Sequence, residues 1–259
     1  MLHADVAGEG PELVLLHGWG MHSGIWGDWL GQLRRGFRVT AVDLPGHGNS
    51  PYRGAGELGQ WASAVLEVAP PRAWWLGWSL GGLVALDAAD QGRDRFDGLL
   101  LLASTPKFVA DEAWMHAVGA EVFSQFAQQL ETDAARTLSR FLSLQVRHAE
   151  HGNETLRQLR SDLCARPPAD PSALRAGLRF LQHCDMRNVM RRLEMPLLCL
   201  LGERDTLVPA EIAAELPAVA HEIIAGAGHA PFLSHSRQCT DFLTKHLLAQ
   251  QEYRQDAAG

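Results

Sequence analysis

A serine set between two glycines, Gly77-Trp78-Ser79-Leu80-Gly81, is the place in this 259-residue chain where residue type and spacing point most directly to chemistry. It follows a short apolar run, residues 74–76, and opens a stretch of helical period, so the hydroxyl stands on a tight strand-to-helix turn. Glycine on either side lets neighbouring elements pass close, and the strained turn lifts the hydroxyl clear of the backbone. A serine hydroxyl is a weak nucleophile until a base takes its proton and a third group orients that base. Asp205, in Gly202-Glu203-Arg204-Asp205, and His229, in Gly226-Ala227-Gly228-His229, supply those parts. Each lies just past an apolar run that reads as a strand, at the edge where open parallel sheets place their ligands. Glu203 is a rival acid, set nearer its strand end, and Asp205 is preferred.

The same chemistry needs donors for the negative charge that develops on a carbonyl oxygen. His17-Gly18-Trp19-Gly20 ends the apolar run 13–16, and the backbone N–H groups of Trp19 and Leu80 are the expected pair. His17, Asp43 and His47 are read as braces of the surrounding turns. His148 and His151 flank Glu150 without any H-E-x-x-H or C-x-x-C partner, so no metal site is expected. Neither G-x-G-x-x-G nor G-x-x-x-x-G-K-[ST] occurs, and no cofactor is expected.

These residues require an alternating scaffold, and the chain supplies one. Apolar runs at 13–16, 39–42, 74–76, 99–103, 197–201 and 222–225 alternate with helical stretches at 25–33, 58–68, 80–90, 211–216 and 232–250, which is the pattern of an α/β fold with a mostly parallel sheet flanked by helices. The alternation stops between 107 and 192. That stretch carries amphipathic runs at 122–130, 134–144 and 155–163, is broken by Pro167-Pro168 and Pro171, and is read as a helical cap inserted in a single domain. A content of 46% hydrophobic and 20% charged residues excludes a disordered chain. The net charge of −7 argues against a general nucleic-acid binder. From 136 to 192, however, there are eleven arginines, no lysine and five acids, a local balance of +6 that leaves −13 on the rest. Met1-Leu2-His3-Ala4-Asp5 has no basic or apolar leader character and no run is long enough to span a membrane, so a cytoplasmic location is expected. Cys164, Cys184, Cys199 and Cys239 then read as reduced thiols.

The strings LVLLHGWG (13–20), VDLPG (42–46), WLGWSLGGLVA (75–85), FLSLQ (141–145) and HAPFLSH (229–235) carry a resemblance. The chain resembles the α/β-hydrolase superfamily along essentially its whole length. More narrowly, it is similar to the pimeloyl-[acyl-carrier protein] methyl ester esterases of biotin synthesis. The resemblance implies a monomeric carboxylesterase with Ser79, Asp205 and His229 as its triad. Its implied substrate contacts are Trp19, Ser79, Leu80, Phe141, Leu142, Ser143, Leu144, Gln145 and His229. Of the aromatics Trp19, Trp78, Phe123 and Phe141, the first and last are the expected walls of an apolar channel. The implied partner is an acyl carrier protein, which is small and acidic, and Arg136, Arg140, Arg157 and Arg160 are its expected docking face. Their spacings of four and three let each pair share a helix side.

Two other readings use the same residues. A broad-specificity short-chain esterase would share the triad and differ in showing no preference for a carrier-linked ester. A non-catalytic ligand-binding protein on a hydrolase scaffold would keep the pocket and leave Ser79 inert.

Overall fold

All six apolar runs fall in parallel strands, and a seventh strand that the sequence reading leaves as coil joins them at one edge. The computed structural model describes residues 1–216 and 220–258. Its strands are β1 (Ala4–Ala7), β2 (Glu12–Leu16), β3 (Arg38–Val42), β4 (Ala73–Trp78), β5 (Phe96–Leu102), β6 (Leu197–Gly202) and β7 (Ala220–Ile224), ordered β1-β3-β2-β4-β5-β6-β7. Only β1 runs antiparallel, pairing Ala4 with Val42 and Ala7 with Val39. Four residues at an exposed edge bury too little to leave an apolar run, which is why the pattern misses it.

The helices are α1 (Gly27–Leu33), α2 (Leu58–Val68), α3 (Leu80–Gln91), α4 (Ala120–Thr132), α5 (Ala134–Gln145), α6 (Gly152–Leu163), α7 (Pro171–His183), α8 (Arg187–Arg192), α9 (Pro231–Ser234) and α10 (Ser236–Ala258). Strand side chains alternate between two apolar clusters, one on each sheet face. Val14, Leu16, Trp75, Leu99 and Leu101 meet α2 and α3 on one face. Leu13, Leu15, Trp74, Leu76 and Leu100 meet α1 and α10 on the other. The expected helix at 25–33 begins as a 3-10 turn, Ser23–Trp26, and 211–216 is only a 3-10 turn, Ala210–Ala214. The expected helix at 232–250 is two helices, because His235 leaves helical geometry at φ −134°, ψ 41°.

Between β5 and β6 the chain leaves the sheet and forms α4 to α8. Pro171 does not interrupt a helix there. It starts α7, where the missing N–H would be unpaired anyway, and the Asp170 carboxylate accepts from Ser172 N–H at 2.7 Å. The apolar sides of α4, α5 and α7 continue the cluster on the α2–α3 face, through Phe126, Phe141, Leu174 and Leu178. The order of strands reverses between β2 and β4, so the loops leaving their carboxyl ends flank the crevice of the sheet. Those loops carry Trp19 and Ser79.

Candidate active site

Ser79 sits at φ 53°, ψ −120°, a conformation that costs a non-glycine residue roughly 1–3 kcal/mol and must be imposed by its surroundings. Three hydrogen bonds impose it. Ser79 N–H donates to the Leu102 carbonyl at 3.1 Å, and the Ser79 carbonyl accepts from Gly82 N–H at 2.9 Å and Ser104 Oγ–H at 2.7 Å. The flanking glycines are needed for close approach: a Cβ at Gly77 would lie 2.5 Å from the Gly81 carbonyl oxygen, and one at Gly81 would lie 2.3 Å from that of Leu16.

Ser79 Oγ–H donates to His229 Nε2 at 2.9 Å, and His229 Nδ1–H donates to Asp205 Oδ2 at 2.7 Å. All three are buried, Ser79 to 3% exposure and His229 to 1%. The second Asp205 oxygen accepts from the Leu207 and Val208 N–H groups at 2.8 and 3.0 Å, so the carboxylate is oriented from both sides. His229 is fixed through its backbone as well: its N–H donates to the Gln145 carbonyl at 2.9 Å and its carbonyl accepts Trp78 Nε1–H at 2.7 Å. Glu203 turns away from the imidazole and accepts from Gly226 N–H at 2.8 Å. With Asp205 ionised, the imidazole proton resides on Nδ1 and Nε2 is free to act as base.

Leu80 opens α3, so its N–H has no partner within the helix and lies at the positive end of the helix dipole. Trp19 precedes it in space on the β2 loop, with its indole Nε1–H donating to the Leu174 carbonyl at 2.8 Å and its ring edge-on to Phe141 at 4.9 Å. His17 braces the loop from behind: Leu44 N–H donates to its Nε2 and its Nδ1–H donates to the Gly18 carbonyl, both at 2.9 Å. Burial, reinforced by the neighbouring His47, pushes the His17 pKa down to about 3, and burial pushes His47 down to about 4, so both rings are neutral braces at physiological pH.

The segment 141–145 divides its side chains. Phe141 meets Trp19, while Leu142 joins the apolar cluster of the opposite sheet face. Ser143 is exposed and its hydroxyl donates back to the Ser139 carbonyl. The Leu144 carbonyl accepts from Thr206 Oγ–H at 3.3 Å. Gln145 is buried beside His229, and its Oε1 has no hydrogen-bond partner. Of the other aromatics, Phe123 packs on Phe108, and Trp78 lies behind His229 among Trp26 and Phe232. Arg136 and Arg140 project from α5, Arg157 and Arg160 from α6, and all four are exposed. Among the described residues none of the four has an acidic partner within 4 Å, whereas Arg166, Arg175, Arg187, Arg192 and Arg204 do.

One contact that no pattern announces is the ion pair of Arg166 with the fully buried Asp43 at 2.7 Å, which ties the stretch after α6 to the end of β3. The partners stand 123 positions apart, and nothing local in the sequence links them. Among the described residues no cluster of three or more His, Cys, Asp and Glu is placed to hold a metal ion, and no helix is long and apolar enough to cross a membrane. The four cysteines are unpaired.

Comparison with known proteins matches residues 13–242 to the alpha/beta hydrolase family. A pimeloyl-[acyl-carrier protein] methyl ester esterase from Methylococcus capsulatus is 45% identical over 244 residues, covering 92% of this chain and 94% of its own length. Its counterpart from Xylella fastidiosa strain M12 is 44% identical over 255 residues, covering 96% and 99%. Among solved structures, an esterase from Exiguobacterium antarcticum superposes with a TM-score of 0.85 at 21% identity, covering 95% of this chain and 94% of that one, which speaks to the fold. A serine elbow at the switch point of a mostly parallel sheet, together with near full-length identity of this order, places the chain in the α/β hydrolase family and, within it, among the pimeloyl-[acyl-carrier protein] methyl ester esterases.

Proposed function

We propose that the chain hydrolyses the methyl ester of pimeloyl-[acyl-carrier protein] methyl ester in biotin biosynthesis, with Ser79 as nucleophile, His229 as base and Asp205 as the acid that orients it. The observation that carries the chemistry is the unbroken hydrogen-bond chain from Ser79 Oγ through His229 to Asp205, at 2.9 and 2.7 Å. Ser79 Oγ adds to the ester carbonyl carbon while its proton passes to His229 Nε2. The carbonyl oxygen becomes an oxyanion and accepts from the Trp19 and Leu80 N–H groups, each such donor contributing about 3–4 kcal/mol at comparable sites. The tetrahedral species collapses, and methanol departs with the proton from His229. Water then gives a proton to the same nitrogen as it attacks the acyl-enzyme, and the free pimeloyl carboxylate leaves with Ser79 restored.

The helices from 107 to 192 act in this reading as a cap, with Trp19 and Phe141 walling an apolar channel for the acyl chain. The substrate contains a thioester to the carrier as well as the methyl ester. A channel of fixed depth with the carrier held outside brings only the distal ester to Ser79. The test is kcat/KM on the carrier-linked methyl ester against a small free methyl ester, with Ser79→Ala as the blank. A large preference for the carrier-linked ester with the thioester intact supports the reading, whereas equal cleavage of both bonds removes the fixed-depth channel.

A further inference from the structure

Glycine is, after proline, the residue least suited to a helix interior. Gly177 nevertheless stands buried at the middle of the thirteen-residue helix α7. A Cβ there would lie 2.7 Å from Trp19 Cδ1, 3.2 Å from Trp19 Nε1 and 3.0 Å from Leu80 Cδ2. These are the side chains of the two residues whose N–H groups form the proposed oxyanion hole. One turn earlier on the same helix, the Leu174 carbonyl accepts Trp19 Nε1–H at 2.8 Å. Phe141 packs in a T-shaped contact with the indole, ring centroids 4.9 Å apart, and Trp19 is wholly buried. The ring is therefore held on three sides and cannot swing away from an added methyl group. The end of the Leu80 side chain can turn aside, but relief at the Trp19 ring would have to come from movement of α7 or of the Trp19 backbone, which lies beside that of Leu80 in the proposed hole.

We propose that Gly177 and the Leu174 carbonyl form a positioning surface through which α7 sets where the Trp19 and Leu80 N–H groups stand relative to Ser79. The inference rests on the reading of those two residues as oxyanion donors. A methyl group at 177 needs about 1 Å of extra room to reach ordinary carbon–carbon separation. A shift of about 1 Å in a group that must meet a transition state costs on the order of 100-fold in rate.

Gly177→Ala is the test, read on p-nitrophenyl butyrate so that carrier recognition plays no part. Better helix propensity alone leaves turnover unchanged and the fold as stable or more so. Positioning gives a kcat lower by roughly 10–100-fold with KM within about twofold. It also weakens binding of an alkyl trifluoromethyl ketone in parallel. Ser79 Oγ adds to that ketone as its proton passes to His229, leaving an oxyanion that reports directly on the two N–H groups. Trp19→Phe keeps an aromatic ring of smaller size and removes the bond to the Leu174 carbonyl, and should weaken the ketone several-fold. Wild-type kcat and ketone affinity in Gly177→Ala overturn the inference and leave the esterase reading standing. Should circular dichroism show Gly177→Ala unfolded, Trp19→Phe decides, and unchanged ketone affinity there overturns it. A wild-type protein that neither turns over the ester nor binds the ketone defeats the esterase reading and the inference with it.

Discussion

Ser79, His229 and Asp205 are each held by backbone hydrogen bonds as well as by one another. Asp205 spends one oxygen on two backbone N–H groups and the other on His229, so replacing it by Asn keeps the size but allows the wrong imidazole tautomer. Asp205→Asn should lower kcat on a p-nitrophenyl ester by on the order of 10⁴-fold, and Ser79→Ala by at least as much, with circular dichroism unchanged. A smaller loss in Asp205→Asn than about tenfold would mean that another acid, Glu203 included, orients the base. His17 and His47 make a second prediction, about stability. Their folded-state values, about 3 and about 4, lie below the ordinary 6.5 because burial disfavours the charged ring. Below pH 6.5 the unfolded chain takes up both protons and the folded one does not, so their contribution is complete above that pH and is lost as pH falls toward 4. Between pH 7.5 and 5.5 the pair should remove roughly 2–3 kcal/mol of unfolding free energy, at about 1.4 kcal/mol per pH unit for each ring. Urea unfolding at the two values measures it, His47→Gln should halve the difference, and equal stability at both would show that the rings are charged in the fold.

At the scale of elements, what the sequence made legible was whatever a local pattern encodes. The strand–turn–helix around Ser79 is written in consecutive residues, and Asp205 and His229 sit where short apolar runs end, so three residues from distant loops could be brought together on paper. β1 was invisible because four residues on a sheet edge need only one apolar neighbour, and its register comes from β3. The division of 141–145, with Phe141 toward Trp19 and Leu142 toward the opposite cluster, depends on how α5 is rotated against the sheet, which no pattern within five residues reveals. The Arg166–Asp43 pair is equally hidden, being a contact between a loop after α6 and the end of β3. That contact has a measurable consequence. Asp43 is fully buried and would keep the Ser23 and Asn49 N–H groups and the Ser23 hydroxyl if the guanidinium were removed. Arg166→Met should cost about 2 kcal/mol in urea unfolding, in the range of hydrogen bonds to charged groups. A loss under about 0.5 kcal/mol would mean that the remaining donors from Ser23 and Asn49 suffice for the carboxylate.

Over the whole molecule, charge is distributed against its own average. The chain is acidic at −7, yet residues 136–192 carry a surplus of arginine. Most arginines elsewhere in that stretch are spent on carboxylates, while Arg136, Arg140, Arg157 and Arg160 remain exposed on α5 and α6 without an acidic partner among the described residues. Arg136 and Arg140 line a surface groove of about 600 Å³, and Ser143, at its end, also borders the groove beside Arg157. Exposed guanidiniums without acidic partners on an acidic body would draw an acidic protein toward α5 and α6. Arginine's planar fork also suits a phosphate on the carrier's arm. Replacing all four by alanine should lower kcat/KM for the carrier-linked ester by on the order of 10–100-fold, chiefly through association, and leave a small free ester within about twofold. Raising salt from about 50 to about 500 mM should erode the wild-type preference in the same direction and leave the quadruple variant nearly indifferent, because exposed charges are screened beyond a few ångströms. Equal losses on both esters would mean that the substitutions damaged the fold. An undiminished carrier preference would move the docking face elsewhere on the protein, while the triad would remain answerable to the small ester alone.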